Sequence, residues 1–430
     1  MSEWTTVRLA DVAGIRFSNV DKKSIPGEPH VRLCNYMDVY ANDYIAANLP
    51  FMEATASQAE IERFRVEEGD VMLTKDSETP DDIGIPAVVV EEVPALVCGY
   101  HLALIKPRKD KVDPVYLAKQ LGSKQTATYF SKLANGSTRY GLSSSAIANT
   151  AIPLAPLPQQ RRIAEILSTL DEAIEQTEAL IAKMQQVKAG LMHDLFTRGV
   201  TPDGRLRPTR EQAPELYKES PLGWIPREWE VKPLGAFTQF DITYGIVQAG
   251  PHVENGVPYI RTGDMSGDSL ARAELLCTSR RIADSYNRSE VRAGEIVCAI
   301  RATVGKVLIV PPDLHGANLT QGTARIAPNA KTDAAFLLWA IRDQRTQRVI
   351  AASIKGTTFS EITLGDLRQL PVAAPIKIDE QKLIGQRLDQ CDHTVKAENN
   401  HLAKLRQQKH GLMHDLLTGR VRTTEGVTLT

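Results

Sequence analysis

The chain has 430 residues, 42% of them hydrophobic, with 24 prolines and a formal net charge of −1 at pH 7. That length exceeds one compact core and the composition excludes a largely disordered chain, so two or more folded domains are expected. The near-zero charge supplies no overall basic field to advertise a nucleic-acid partner, although a subunit that shares its DNA contacts with another chain needs none.

Cysteines fall at 34, 98, 277, 298 and 391, odd in number and without a Cys-x-x-Cys pair. This pattern argues against a disulfide framework or a structural zinc site and suits a reducing compartment. The start, Met1-Ser2-Glu3-Trp4, lacks the basic and apolar regions of a signal peptide. No apolar run approaches the ~18 residues that would span a bilayer. A soluble, cytoplasmic protein without a membrane partner or a metal is expected.

Taken in order, residues 1–157 read as a globular block. Asp70 to Leu73 and Ala87 to Val90 are short β-branched runs bounded by glycine, proline and acids, and so read as buried strands. After the start signal Asp113-Pro114, Tyr116 to Leu133 is expected to carry one helix. A Gly136-Ser137-Thr138 loop then leads into a proline-punctuated exit from Ile152 to Pro158.

Residues 158–197 form the first of two long amphipathic helices. Ile163, Leu167, Leu170, Ile174, Ile181, Met184, Leu191 and Leu195 step by alternating fours and threes, the seam of a coiled coil. Thr177 and Lys188 interrupt that seam. Its repeated stretch of about 38 residues, Gln160 to Thr197, would be roughly 57 Å long as a helix and would depend on a partner for its stability. The connector at 198–226 is rich in Pro, Gly and Arg and has almost no apolar periodicity.

A second block occupies 227–375, with strands expected over Glu295 to Ile300 and Lys306 to Val310 and one helix over Ala334 to Ile350. The second long helix, 376–418, keeps the first one's phase at a constant offset of 221 residues, through Ile384, Leu388, Cys391, Val395, Leu402, Leu405, Leu412 and Leu416. Its interruptions, Glu398 and Lys409, match those of the first helix, and residues 419–430 form a tail. Gly199 and Gly419 sit where left-handed caps would end the helices. Repetition extends into the blocks, pairing Glu3-Trp4 with Glu228-Trp229, Gly69-Asp70-Val71 with Gly294-Glu295-Ile296, Pro29-His30-Val31-Arg32 with Pro258-Tyr259-Ile260-Arg261, and Gly136-Ser137-Thr138 with Gly356-Thr357-Thr358.

The expected fold is therefore α+β: two similar globular domains separated by two long antiparallel coiled-coil helices with pseudo-two-fold symmetry. The alternative is that each helix packs onto its own domain.

Several segments together resemble the specificity subunit of type I restriction–modification systems. Leu195-Phe196-Thr197-Arg198-Gly199, Ser220-Pro221-Leu222-Gly223-Trp224-Ile225-Pro226 and Glu228-Trp229-Glu230-Val231 look like that family's central connector. The exit Pro371 to Pro375 before Glu380-Gln381 and Ile384 resembles its passage into a spacer helix. Lys75 to Gly84 and Tyr259 to Met265 resemble parts of its target-recognition domains. The resemblance implies a subunit without catalysis. Each block would read one half of a split, asymmetric site on double-stranded DNA. The helices would set the spacing and dock two methyltransferase subunits, and endonuclease/translocase subunits would complete the assembly. No cofactor would be bound by this chain; S-adenosylmethionine would belong to the partner methyltransferase. The alternatives are a recognition subunit serving a fused methyltransferase–nuclease, and a coiled-coil scaffold that reads nothing.

The residues agree in offering no catalytic motif. Val304-Gly305-Lys306 lacks the upstream glycine and hydroxyl of a phosphate loop, and Pro311-Pro312 lacks the neighbours of an amino-methyltransferase signature. His193-Asp194 and His414-Asp415 are helix neighbours pointing about 100° apart, so neither pair forms a relay.

Base reading needs polar side chains on loops. In the first block the candidates are Lys75, Tyr100, Asn135, Ser137, Thr138, Arg139 and Tyr140, with Lys22, Lys23, Asn35, Tyr36 and His101 beside them. In the second they are Tyr244, Gln248, Arg301, Thr303, Asn318, Gln321, Lys355, Thr357 and Thr358, with Gly245 permitting close backbone approach.

Overall fold

Strand Val71–Thr74 is buried at all four positions, and alternation sends its side chains into two different cores. Val71 and Leu73 face a core containing Tyr116, Leu117 and Leu121, whereas Met72 faces a second core with Val31, Leu33 and Phe64. The computed structural model describes residues 4–356 and 360–423. In the first domain this strand is central to a five-stranded sheet ordered Ala13–Phe17, Leu102–Pro107, Val71–Thr74, Pro86–Val89, Tyr44–Ile45. A three-stranded sheet lies in the second core, with His30–Cys34 between Met52–Thr55 and Leu96–Cys98.

The second domain repeats this plan. Ile296–Ala299 is buried throughout; Ile296 and Cys298 face one core, Val297 and Ala299 another. Its two larger sheets have four strands, around Thr323–Ile326 and Ile296–Ala299, and three, around Val257–Ile260.

Neither domain has the single helix expected before its Gly-Ser/Thr-Thr loop. The first breaks into Pro114–Leu121 and Lys124–Leu133, because Ser123 accepts a hydrogen bond from the Thr126 N–H and caps a new helix directly after Gly122. The second breaks at Asp343 into Ala334–Arg342 and Gln344–Ser353.

The long helices span Leu157–Arg198 and Ile378–Leu417, each followed by a glycine at positive φ, Gly199 at 64° and Gly419 at 71°. Two compact units divide within these helices, one comprising residues 1–178 with 400–430 and the other 179–399. In the first unit Ile163 and Leu167 of one helix and Leu416 and Leu417 of the other enter the domain core. In the second unit Leu195, Phe196, Ile384 and Leu388 do the same. Each helix thus packs both on domain cores and on the other helix. Full burial of such an aliphatic side chain contributes ~1.5–3 kcal/mol. Within the first unit the helices run antiparallel, Arg406 Nη2 lying 2.6 Å from Glu178 Oε1 and Lys409 Nζ 2.7 Å from Asp171 Oδ1. Within the second, Lys188 pairs with Asp392 in the same sense. Seam position Leu412 is 36% exposed, because the last turns direct Met413, Leu416 and Leu417 into the domain instead. Among the described residues no helix is long and apolar enough to cross a membrane.

Backbone hydrogen bonds correct one alignment between the repeats. Gly99 N–H donates to Cys34 O at 2.9 Å, and Thr320 N–H donates to Ile260 O at 3.2 Å. Cys34 therefore corresponds to Ile260 and Asn35 to Arg261, three positions away from the match that pairs Arg32 with Arg261. The next residues agree: Asn35 N–H donates to Asp38 and Arg261 N–H to Asp264.

Candidate nucleic-acid interface

In each domain the same three backbone anchors build one corner. Val20 bridges Gly99 in parallel, and Ile246 bridges Thr320 likewise. Lys75 N–H donates to His101 O at 3.1 Å, matched by Ile300 N–H to Gly322 O at 2.9 Å. Asn135 bridges Gly141 beneath the first glycine loop, and Lys355 bridges Glu361 beneath the second. The corner is closed by Asp76–Ser77 pairing with Tyr140–Gly141 in one domain and by Arg301 bridging Glu361 in the other.

Sequence-distant candidates of the first domain meet here. Ser137, Thr138 and Arg139 are exposed on the loop, and Tyr140 is held half-buried opposite Ser77. Gly136 has φ 151°, and a Cβ there would lie 1.8 Å from Arg139 O, so the loop's path requires glycine. Arg139, Lys22, Tyr36, Tyr40, Asp82 and His101 line a cavity of about 500 Å³. The Tyr36 and Tyr40 rings stack at 5.5 Å, and Tyr40 OH donates to Asp82 Oδ2 at 2.9 Å. Burial raises the Tyr36 phenol above its ordinary range, so it stays a hydroxyl donor. Lys75 is less available than its type suggests: its Nζ sits 2.8 Å from Asp76 Oδ2, which also meets His101 Nδ1 at 2.9 Å. Tyr100 packs on His101 with ring centroids 3.7 Å apart. Asn35, Lys22 and Lys23 flank this face, and Asn135 uses its amide locally on Leu133 O at 3.0 Å.

The second domain carries different groups on the same corner. Arg301 and Thr303 are exposed, with Arg301 Nε 3.1 Å from Glu361 Oε2. Gln321 donates its N–H to Ile246 O, which sets it beside the strand bearing Tyr244, and exposed Gln248 follows. Lys355 is exposed and paired with Asp366 at 2.9 Å. Thr357 and Thr358 lie outside the described residues.

Two expectations need correction. Asn318 is 2% exposed; its Oδ1 accepts from Ser289 Oγ at 2.5 Å and its Nδ2 donates to Ala283 O at 3.2 Å. It braces the fold and has no reach outward, because a buried amide must spend its polar atoms internally. Gly245 does permit a close backbone approach, but of the chain's own Leu319, whose carbonyl oxygen would lie 1.9 Å from a Cβ.

Residue-type reasoning also missed the acids. Between Asp76 and Gly84 the first domain has four more residues than the second has between Arg301 and Gly305, and the extra length carries Glu78, Asp81 and Asp82. Both ends are fixed by equivalent bonds, Gly84 N–H to Thr74 O at 3.0 Å and Gly305 N–H to Ala299 O at 2.9 Å. Carboxylates accept from exocyclic amines of bases, whereas Arg and Gln donate to or bracket purine edges. The two corners therefore share a backbone and differ in chemistry. Among the described residues no cluster of His, Cys, Asp and Glu could hold a metal ion.

Comparison with known proteins agrees with this architecture. The family model described as the type I restriction modification DNA specificity domain matches residues 1–186 and again 226–407. A Methanocaldococcus jannaschii protein provisionally named the MjaX type I restriction enzyme specificity subunit is 28% identical over 374 residues, covering 85% of this chain and 81% of its own. The EcoBI specificity subunit of Escherichia coli is 29% identical over 290 residues, 65% of this chain and 60% of its own. Among solved structures, the type I restriction–modification S subunit from M. genitalium shares the fold with a TM-score of 0.61 at 14% identity, covering 96% of both chains. The chain belongs to the type I restriction–modification DNA specificity family.

Proposed function

We propose that this chain directs a type I restriction–modification complex to a split DNA sequence, each globular domain reading one half through the corner described above. The observation that carries this reading is the repeated backbone corner with unlike side chains. A common scaffold gives both domains the same approach to a duplex, and different exposed groups give them different base preferences. On this side stand Arg139, Ser137, Thr138 and the tyrosine-lined cavity; on the other stand Arg301, Thr303, Gln321, Gln248 and Lys355. Because the groups differ, the two half-sites are unrelated and the whole site is asymmetric.

The long helices set the separation of the half-sites and dock two methyltransferase subunits, and endonuclease/translocase subunits complete the assembly. Chemistry resides in those partners. S-adenosylmethionine is bound by the methyltransferase, and this chain supplies address and geometry without catalysing a step. Modification of unmethylated genomic DNA by the methyltransferase with and without this chain tests the reading. A split modified motif that appears only with the chain supports it; identical modification in both samples, or none, refutes it.

A further inference from the structure

Both long helices break their apolar seam with a lysine at the same place in the repeat, Lys188 and Lys409. Each lysine finds a counter-ion on the other helix: Lys188 on Asp392, and Lys409 on Asp171 with Nζ 2.7 Å from Oδ1, Lys409 also reaching Asp43 Oδ2 of the first domain at 3.0 Å. The two aspartates are themselves repeat-related, again by 221 positions, and their side chains are 15% and 8% exposed. In both pairs the residue numbers add up to 580, so two separate contacts specify one antiparallel alignment. Each pair is also tied to its own domain. Asp171 meets Lys119 Nζ at 2.5 Å and Tyr44 OH at 2.7 Å. Lys188 Nζ lies 4.8 Å from the centre of the Trp339 ring, while on its own helix Asp392 also meets Lys396 at 2.9 Å.

We infer that Lys188–Asp392 and Lys409–Asp171 are spacing-determining residues: they fix the register of the helix pair and so the separation of half-sites the chain accepts. A seam of Leu, Ile and Met tolerates sliding, because one apolar knob fits another's hole. A half-buried lysine facing a largely buried aspartate does not, because leaving either unpaired is costly. Slid by one heptad in one direction, the lysines would meet Gly385 and Ala164; in the other, Asn399 and Glu178. Only the present register gives both a carboxylate on the opposite helix. The lysines act through helix position and touch no base, so they are positioning residues.

The inference rests on the proposed reading of a split site, and the test separates the two. The complete complex with its methyltransferase is assayed on duplexes carrying the wild-type motif, with the gap between half-sites varied one base pair at a time. The readout is the ratio of modification rate at the best gap to that at the next. A wild-type complex with no gap preference refutes the reading itself. Given a wild-type preference, Asp392→Lys, which opposes Lys188 with a like charge, reduces the ratio several-fold. Adding Lys188→Asp in the same chain restores it. An unchanged ratio in Asp392→Lys overturns the inference, as does a loss of folding or total rate without a change of ratio, or a charge-swapped chain that does not recover.

Discussion

Arg207 Nη1 lies 2.6 Å from Glu380 Oε1, and the side chains are 9% and 11% exposed, so the connector between the halves is fastened to the start of the second long helix by a buried ion pair. The same carboxylate accepts from Trp229 Nε1 at 3.1 Å and Val200 N at 3.0 Å. In the first domain the equivalent bond is neutral, Trp4 Nε1 donating to Gln159 Oε1 at 3.1 Å. Removing Glu380 leaves the buried Arg207 with only the exposed Glu228 carboxylate, 3.2 Å from its Nη2. Glu380→Ala is expected to destabilise by ~3–5 kcal/mol. Glu380→Gln, which keeps an acceptor for Trp229, is expected to cost less. Urea unfolding of both variants checks the order; equal losses would contradict it.

Asn318 and Arg301 both looked like base readers, and only Arg301 is free of the core. Asn318→Ala removes the buried hydrogen bonds to Ser289 Oγ, the Ala283 carbonyl and the Leu319 N–H and is expected to cost ~1–3 kcal/mol of stability, with the salt dependence of DNA binding unchanged. A changed salt slope in the folded Asn318→Ala chain would return Asn318 to the interface.

Arg139 tests the other face. It is exposed beside Lys22 at the mouth of the tyrosine-lined cavity. If it meets a phosphate, Arg139→Ala weakens binding to all sequences alike and lowers the slope of log K against log salt by about 0.9. If it meets a base, discrimination falls by ~1–3 kcal/mol at one position while the slope holds. Titrations at several salt concentrations on matched and mismatched duplexes distinguish these; no change in either would remove the first glycine loop from the interface.

The helix-pair ion pairs also set a pH window. Burial raises the Asp392 carboxyl, but Lys188 and Lys396 outweigh it and leave it below its ordinary range. A folded-state value lowered in this way gives stability that is present above the ordinary carboxylate range and lost as pH falls through it. Lys409 has the opposite sign. Burial lowers it, Asp43 and Asp171 outweigh burial, and the raised value gives stability present below the ordinary lysine range and lost as pH rises through it. The urea midpoint should therefore be flat near neutrality and fall on both sides. Asp392→Asn should flatten part of the acid limb, and an acid limb of unchanged slope would contradict the assignment.

How legible was this in the residues? Heptad steps and constant offset placed both long helices, and their capping glycines marked the ends, because a seam and a left-handed cap are local signals. Helix breaks at Gly122-Ser123 and Asp343 were missed because their apolar faces continue across them; the first is decided by the single capping side chain of Ser123, whereas Asp343 turns the backbone without a side-chain cap and holds Arg345 instead. The Arg32/Arg261 match failed because the four residues it compares are alike in type, whereas position is set by pairing with strands far along the chain. Asn318 failed for the complementary reason, since burial of a polar side chain is a tertiary property. Glu78, Asp82 and Glu361 went unremarked because a search for DNA contacts by charge favours cations, although acceptors read bases too.

Sequencing that detects modified bases, applied to genomic DNA modified by complexes bearing wild-type chain, Arg139→Ala or Arg301→Ala, tests the central claim most directly. Two independent readers on a common scaffold predict one split motif in which Arg139→Ala relaxes only one half and Arg301→Ala only the other. Relaxation of both halves by either substitution, or of the same half by both, would contradict it.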